Sequence, residues 1–274
     1  MSAWINGRRG STLSYRDRGL QYGDGLFETM RVQRRRIRLL DFHLDRLYQG
    51  CRRLKIQAPK PIFLRHELER IAAGRSEGVL KLIVTRGCGP RGYRPALRAR
   101  ATRIATLHAL PQAASADTAM AVRLRVCATP LSTNPSLAGL KTLNRLDSVL
   151  ARSEWVDGRI WEGLMRDMDG NWVCGTMSNL FLRRGSVLIT PLLDRCGVAG
   201  VMRRWILERA GGLRLRVVER RIHWKDLQSA EEVFMSNAVV GIRSVRTIEG
   251  ARLGRLRFER ADAAAQLRSL LDEQ

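Results

Sequence analysis

The chain has 274 residues, of which 45% are hydrophobic and 27% charged, and its formal net charge is +23. This length suits one large or two modest domains with a hydrophobic core, and the composition is typical of a globular protein. No apolar run is long enough to span a bilayer, and the first charged residues are not followed by the apolar segment of a signal peptide. We therefore expect a cytoplasmic protein with no membrane partner.

The cysteines and histidines show no pattern of a metal site or of a disulfide framework. The five cysteines are widely spaced and form no Cys-x-x-Cys pair, which indicates a reducing compartment. The four histidines are far apart in the sequence, so their spacing is not that of metal ligands. We expect neither disulfides nor a bound metal.

The positive charge raises the question of nucleic-acid binding. Arginine accounts for 44 of the 49 basic residues, and these are spread along the whole chain rather than clustered. Aromatic residues make up 6% of the chain, too few for an obvious base-stacking surface. We therefore expect no nucleic-acid partner. A basic cleft would equally suit an anionic small substrate.

The N-terminal part of the chain alternates strand and helix patterns. The predicted strands are a hairpin arm at Trp4–Asn6, Leu26–Val32 with its partner Arg36–Leu39, Gly78–Thr85 and Arg103–Leu110. Tyr15–Gly25 is predicted to be a loop. Asp41 is predicted to cap a helix with apolar positions from Leu44 to Leu54, and Pro61–Ala73 is predicted to form a second helix.

A glycine-rich segment, Gly87–Gly92, separates two of these strands and matches Gly-x-Gly-x-x-Gly. A dinucleotide-binding fold requires a helix to begin there, so that its N-terminus can hold the pyrophosphate. Pro95 and the arginine-rich residues that follow give no apolar helical stripe, which excludes that fold. The segment is interpreted as a flexible cover that presents Arg91, Tyr93 and Arg94, groups suited to binding a carboxylate.

Pro111–Asp117 has the composition of a linker, which predicts domains at 1–110 and 118–274 joined by residues 111–117. The strands predicted after it are Val122–Val126, Ile160–Met165, Val187–Thr190, Leu213–Val218, Glu231–Ser236 and Gly241–Val245, and a turn at Asp169–Gly170 leads into Trp172–Leu182. The predicted helices are one after Lys141, one at Gly200–Arg209 and one at Ala261–Leu271.

Lys141 stands out because lysine is scarce. The other four lysines are Lys55, Lys60, Lys81 and Lys225. Arginine stays protonated, whereas a desolvated lysine can lose its proton and form a Schiff base. Leu143, Leu146 and Leu150 recur at helical spacing, so Lys141 is predicted to lie just before a helix. Spacing alone favours the simpler interpretation of a solvated lysine near a helix start.

Several motifs extend from Asn6 to Val245. Six are Tyr22–Glu28, His43-x-x-Arg46-Leu47, Asn179–Phe181, Thr190–Pro191, Gly200-x-x-Arg203 and Glu232–Ala238, and two narrower ones are Thr85–Tyr93 and Ala138–Leu146. With these motifs the chain resembles the aminodeoxychorismate lyases, in the fold-type IV group of pyridoxal-phosphate enzymes that also holds branched-chain and D-amino-acid aminotransferases. The resemblance implies an α/β (α+β) two-domain fold, with a small N-terminal α/β domain and a larger C-terminal domain with a mixed, barrel-like sheet.

The resemblance also implies pyridoxal 5'-phosphate as the cofactor and Lys141 as the residue that forms a Schiff base with it. Arg46 would hold the cofactor phosphate, together with backbone amides at a helix start. The further residues implied on the phosphate side are Val201, Met202, Asn237 and Ala238. Thr29, Arg91 and Tyr93 fall where the family meets its substrate, and Thr29 would hydrogen-bond the leaving side.

The sequence departs from the family at Cys174. Family members commonly have a glutamate five residues before the asparagine of Asn179–Phe181, where it keeps the pyridine nitrogen of the cofactor protonated. A thiol is a weak hydrogen-bond partner, and its charge depends on a shifted pKa. Either another group helps at this position, or the reaction tolerates a weaker electron sink.

The activity implied is the conversion of 4-amino-4-deoxychorismate into 4-aminobenzoate and pyruvate for folate synthesis, in a homodimer. A D-amino-acid or branched-chain aminotransferase of the same fold is the first alternative, and the two narrower motifs argue against it. The second alternative is an arginine-rich nucleic-acid-binding protein with an inactive cofactor site. A visible absorption band from a bound cofactor would argue against that alternative.

Overall fold

A computed structural model describes residues 2–96, 99–111, 120–250 and 253–273 of the chain. It divides into two compact units, one formed by Met1–Ala114 with Leu140–Asn144, the other by Ser115–Gly139 with Arg145–Gln274. Most of the predicted linker, residues 112–117, lies outside the described residues. Leu140–Asn144, which contains Lys141, groups with the first unit, and the domain boundaries of the sequence analysis stay a prediction.

The first unit is an antiparallel sheet with helices packed against it. Its strands are β1 (Ser2–Ile5), β2 (Arg8–Arg9), β3 (Gly25–Gln33), β4 (Arg36–Ile37), β5 (Glu77–Thr85) and β6 (Thr102–His108), and its helices are α1 (Arg18–Tyr22), α2 (Leu40–Leu54) and α3 (Pro61–Ala72). The strand order is β2-β1-β6-β5-β3-β4. Alternate residues of β3 are buried, as expected for a strand with one face on a core.

Two local predictions in this unit were wrong. Tyr15–Gly25 is not all loop, because Asp17 caps the short helix α1 by accepting a hydrogen bond from the Gly19 amide. Asp41 does not cap α2, which begins at Leu40 with Leu39 at its N-cap. Asp41 lies instead in the first turn, where a carboxylate is favoured by the helix dipole, and it pairs with Arg65.

The second unit is built on a mixed sheet. Its strands are β7 (Val122–Val126), β8 (Glu162–Arg166), β9 (Trp172–Gly175), β10 (Asn179–Arg184), β11 (Val187–Pro191), β12 (Arg216–Arg220), β13 (Glu232–Asn237), β14 (Gly241–Gly250) and β15 (Gly254–Arg257), and its helices are α4 (Leu146–Arg152), α5 (Val201–Ala210), α6 (Trp224–Gln228) and α7 (Asp262–Asp272). β9 pairs with β10 as well as with β8, so β10-β13-β14-β7-β8-β9 close into a ring. The predicted barrel-like sheet is confirmed.

The helix predicted to follow Lys141 begins later than its apolar spacing indicated. Helix α4 begins at Leu146, and Leu143 instead donates its amide to the carbonyl of Gly25 in β3. Leu146 and Leu150 are 75% and 57% exposed, so the leucine spacing does not mark a buried face. Within the described residues no helix is long and apolar enough to cross a membrane.

Candidate active site

Lys141 lies in the first unit, beside the start of β3. The amide of Phe27 donates to the Lys141 carbonyl over 3.0 Å, and Leu26 bridges Thr142. The Lys141 Nζ atom is 4.3 Å from the centre of the Phe27 ring, within the range of a cation–π contact. Backbone pairing therefore fixes the segment and places the amine over an aromatic face.

Glu28 is the centre of a charged cluster on the opposite face of β3, which is buried against α2. His43 Nδ1 donates to Glu28 Oε2 over 2.6 Å, and Arg46 Nε donates to Oε1 over 2.8 Å. A second guanidinium nitrogen of Arg46 also contacts Oε2. His43 and Arg46 are three residues apart on α2, so they share one helix face.

The charges in this cluster determine its protonation. Burial alone would raise the pKa of Glu28, but Arg46 and His43 outweigh it and hold that pKa at about 2. Burial lowers the pKa of His43, assisted by the charges of Arg46 and Lys141 and opposed by Glu28. At neutral pH His43 is a neutral donor to an ionised Glu28. Arg46 is then the cation that balances the carboxylate.

The predicted substrate residues occupy two places in the first unit. Thr29 lies on β3 opposite Lys81 and two residues after Phe27, so the Thr29 and Phe27 side chains share a face of the strand. Arg91 and Tyr93 lie in the loop of residues 87–94, which contains the glycine-rich segment and is called the glycine-rich loop, and both are exposed. The Tyr93 ring packs against Tyr22 with a centroid distance of 5.7 Å. The geometry of the loop therefore depends on the segment that contains Tyr22.

Val201 and Met202 are buried at the beginning of α5 in the second unit. The helix has Gly200 at its N-cap and no side-chain cap, which leaves its first amides oriented toward any anion placed there. A Cβ atom at Gly200 would come within 2.0 Å of Asn179 Oδ1. Asn179 in turn donates to the Val198 carbonyl over 2.9 Å. Asn179 thereby fixes the turn that enters the helix.

Asn237 and Ala238 follow β13 in the same unit. Asn237 Oδ1 accepts hydrogen bonds of 2.9 Å from the amides of Val239 and Val240, so this side chain shapes its own turn. Ser236 lies opposite Asn179 in the sheet and is fully buried. Its hydroxyl oxygen has no hydrogen-bond partner among the described residues. Such a group is a ready donor for a bound ligand.

Cys174 lies in an apolar cluster of the second unit with Met165, Val173 and Cys196. Burial is the main cause that raises its pKa above the ordinary thiol value. Cys174 is therefore a neutral thiol at physiological pH. It can offer only a weak hydrogen bond to a ring nitrogen.

Glu162, at the start of β8, is a fully buried carboxylate close to Cys174. It accepts five hydrogen bonds, from the Gly163 amide, the amide and hydroxyl of Thr176, the Met177 amide and the Ser178 hydroxyl. Burial raises the pKa of Glu162, and these neutral donors offset the shift only in part. The carboxylate holds together the turn between β9 and β10.

Glu28, His43, Ser236 and Glu162 had no assigned role in the sequence analysis, although three of them lie within the quoted motifs. A signal for Glu28 was available in the alternation of β3, since it occupies a buried position between Leu26 and Met30. A glutamate at an apolar position predicts a buried partner cation. Within the described ranges, no group of three or more His, Cys, Asp and Glu side chains could hold a metal.

Comparison with known proteins gives consistent matches over nearly the whole chain. The family model for amino-transferase class IV matches residues 25–248. The aminodeoxychorismate lyase of Vibrio harveyi is 32% identical, covering 89% of this chain and 90% of that protein. A putative branched-chain-amino-acid aminotransferase of Methanocaldococcus jannaschii is 30% identical, covering 91% and 88%. The crystal structure of 4-amino-4-deoxychorismate lyase from Pseudomonas aeruginosa superposes with a TM-score of 0.92 at 44% identity, covering 99% of this chain and 98% of that one.

Proposed function

Because this chain belongs to the class IV aminotransferase family, we propose that it is a pyridoxal-phosphate-dependent lyase that converts 4-amino-4-deoxychorismate into 4-aminobenzoate and pyruvate. The observation that carries the proposal is the 44% identity to a 4-amino-4-deoxychorismate lyase over 99% of this chain. The lyase of Vibrio harveyi supports the same assignment. The product would serve folate synthesis.

The residues present fit the proposed cofactor. Lys141 offers a primary amine over the Phe27 ring, Arg46 is a cation, and the amides of Val201 and Met202 begin an uncapped helix. The buried Ser236 hydroxyl, with no partner among the described residues, is a further donor suited to a phosphate oxygen. We assign Lys141 to the aldehyde carbon and the other groups to the phosphate. Asn237 and Ala238 shape the adjoining turn.

When bound, pyridoxal phosphate supplies an electron sink for negative charge that develops at the amine-bearing carbon. Lys141 is the base that removes the proton from the amine-bearing ring carbon of the substrate. The enolpyruvyl oxygen then leaves with the bonding electrons, and the released enolate takes up a proton to become pyruvate. The ring becomes aromatic. Thr29 donates a hydrogen bond on the leaving side. Arg91 pairs with a substrate carboxylate, and Tyr93 lines the same subsite.

The charged cluster has a supporting part in this scheme. Glu28 and His43 fix the guanidinium of Arg46 on α2, so Arg46 meets an anion in a prepared orientation. Cys174 remains neutral because burial raises its pKa. A neutral partner stabilises a protonated ring nitrogen less than a carboxylate does. Elimination and aromatisation are favourable steps that draw the reaction forward, so a weaker electron sink is sufficient.

The proposal includes a homodimeric protein in the cytoplasm, with domains at 1–110 and 118–274 and no nucleic-acid or membrane partner. The decisive experiment is incubation of the purified protein, loaded with pyridoxal phosphate, with aminodeoxychorismate while pyruvate and 4-aminobenzoate are measured. Equal amounts of both products are expected. Absence of both from a protein that shows the cofactor absorption band would contradict the proposal.

An aminotransferase is the second candidate, favoured by the 30% identity to a putative branched-chain enzyme over 91% of this chain. Amino transfer to 2-oxoglutarate from branched-chain or D-amino acids would reveal it. Transfer that is faster than pyruvate release from aminodeoxychorismate would replace the lyase assignment.

A further inference from the structure

The root of the glycine-rich loop is bound to the segment Asp17–Asp24 that precedes β3. The Arg18 amide donates to the Gly87 carbonyl over 2.9 Å, and the Thr85 hydroxyl donates to Asp17 over 2.9 Å. Gly87 has a φ of +88°, and a Cβ there would be 1.9 Å from the Arg100 carbonyl oxygen. The chain therefore leaves β5 in a conformation that glycine permits.

The tip of the loop is held by the side chain of Arg18. Its two terminal nitrogens donate to the carbonyls of Gly92 and Tyr93 over 2.8 and 3.0 Å. The Gly92 amide donates to the Tyr22 hydroxyl over 3.2 Å. The Arg18 guanidinium also stacks over the Tyr22 ring at 4.7 Å. These contacts hold the two residues that directly follow the exposed Arg91.

Arg18 is only 3% exposed, so its charge is not compensated by water. Its Nε atom donates to Asp24 over 2.9 Å, and Asp24 also binds Arg86. Burial alone would raise the pKa of Asp24, but the hydrogen bonds from Arg86 and Arg18 lower it. Arg18 pairs with Asp24 on one side and donates to two loop carbonyls on the other. This arrangement needs the planar guanidinium of arginine, which lysine lacks.

The same segment leads directly into the strand beside Lys141. Asp24 is followed by Gly25, whose carbonyl accepts the Leu143 amide, and a Cβ at Gly23 would be 2.4 Å from Asn144 Oδ1. The loop and the Lys141 segment are therefore both attached to residues 17–27 of the first unit.

We propose that Arg18 is a positioning residue, which clamps the tip of the glycine-rich loop and so sets the place from which Arg91 and Tyr93 bind a carboxylate of the substrate. This inference rests on the proposed function for the identity of the substrate. The clamp itself rests on the contacts of Arg18 and Tyr22. Arg18 acts through the loop and takes no part in proton transfer.

The test compares Arg18→Lys and Tyr22→Phe with the unaltered holoenzyme, by hydrogen exchange of the peptide that spans residues 87–94 and by steady-state kinetics. Arg18→Lys keeps a positive charge near Asp24 but loses the two parallel N–H groups that hold the loop carbonyls. If the loop then occupies its binding position in about one molecule in ten, KM rises about 10-fold. Exchange of the loop amides rises, while kcat and the cofactor absorption band stay unchanged. Tyr22→Phe gives the same pattern with a smaller change.

Arg86→Lys is the matched control, because Arg86 binds the same Asp24 but donates to the carbonyls of Leu54 and Lys55 rather than to the loop. It should leave loop exchange and KM unchanged. The proposal is overturned if Arg18→Lys leaves KM or loop exchange unchanged, or if exchange rises equally throughout β3 and β5. A wild-type protein with no turnover would contradict the proposed function, while the exchange data would still decide whether Arg18 clamps the loop.

Discussion

Glu28 in β3 and Glu162 in β8 are both fully buried, yet their pKa values move in opposite directions. Glu28 faces the guanidinium of Arg46, which is charged at every accessible pH. Glu162 faces amides and hydroxyls, which are neutral. The sign of the shift follows from the presence of a cation and not from the depth of burial.

The contrast separates a charged region from a neutral one. In the first unit, Glu28, His43 and Arg46 adjoin the face of β3 that is buried against α2, and the charge of Lys141 influences the pKa of His43. In the second unit, Glu162 lies near Cys174, whose pKa burial raises. In the charged region, the cation Arg46 can pair with another anion in place of the Glu28 carboxylate. A region with neutral donors resists the introduction of charge.

The largest effect is expected at Lys141, the proposed catalytic residue next to the charged region. Lys141→Ala should reduce lyase activity to below a few per cent and abolish the absorption band of the covalently bound cofactor, because one amine serves as anchor and base. Lys81→Ala is the matched control, since Lys81 Nζ lies 5.5 Å from the same Phe27 ring. Spectra and pyruvate release are measured for both. Retained activity in the first variant, or loss of the band in the second, would refute the assignment.

Glu28→Gln tests whether the charged region can accept a replacement anion. Removing one partner of a buried ion pair costs about 3 kcal/mol of unfolding free energy. If Arg46 holds the cofactor phosphate, pyridoxal phosphate should restore more stability to Glu28→Gln than it adds to the wild type, and phosphate-free pyridoxal should not. Denaturant titrations with and without each compound measure this difference.

Glu232→Gln is the control for that rescue. Glu232 is also fully buried and pairs with an arginine, Arg183, at 3.0 Å, but it accepts further bonds from the first amides of α7. Its loss should cost a similar free energy with no extra rescue by pyridoxal phosphate. Equal rescue in both variants would show that the cofactor stabilises the fold generally and does not pair with Arg46.

Cys174→Glu introduces charge into the neutral region. If position 174 meets the pyridine nitrogen, a carboxylate there strengthens the electron sink, and amino transfer to 2-oxoglutarate should rise relative to lysis by about 10-fold, the effect of one pKa unit of extra stabilisation. The lysis rate itself should change little. An unchanged ratio in a variant with an intact cofactor spectrum would show that position 174 does not control the ring nitrogen.

Sequence reasoning performed best where a pattern reports directly on backbone geometry. The predicted strands Leu26–Val32 and Gly78–Thr85 match β3 and β5 closely, and the motifs indicated the fold group, which the family match confirms. It failed at Leu143, where strand pairing with Gly25 overrides helical spacing. It also missed α1, whose five residues depend on the Asp17 cap and on contacts with the distant residue Thr85.

The residues of the candidate site were predicted, but the hydrogen bonds and ion pairs that join them were not. The two motifs that contain Glu28 and His43 were recognised, but the pairing of Glu28 with Arg46 spans two elements and leaves no local signal. The same holds for Glu162, because all its donors except the Gly163 amide come from residues 14 to 16 positions later. Long-range partners of a buried charge follow from the fold and cannot be obtained from spacing.

The smallest expected effect is a change in how the free energy of unfolding depends on pH. The folded-state pKa of Glu162 is raised above its ordinary value of 4.5, so its stabilising contribution is complete below pH 4.5 and is lost as pH rises through the raised pKa. Glu28 behaves oppositely, because its lowered pKa gives a contribution that is present above pH 4.5 and is lost as pH falls toward about 2.

Glu162→Gln removes the titration while retaining a hydrogen-bonding side chain of the same shape. Its free energy of unfolding relative to the wild type should be lower by about 1 kcal/mol near pH 4.5 and should recover as pH rises, since the wild type then carries a charge that its surroundings disfavour. For Glu28→Gln the deficit should instead grow as pH rises from about 2 to 4.5. Urea titrations of both variants from about pH 2 to well above pH 4.5 cover the titration of both carboxyl groups and give the two difference curves. Parallel curves would mean that neutral hydrogen bonds compensate burial as fully as a cation does, and the contrast between the two regions would be wrong.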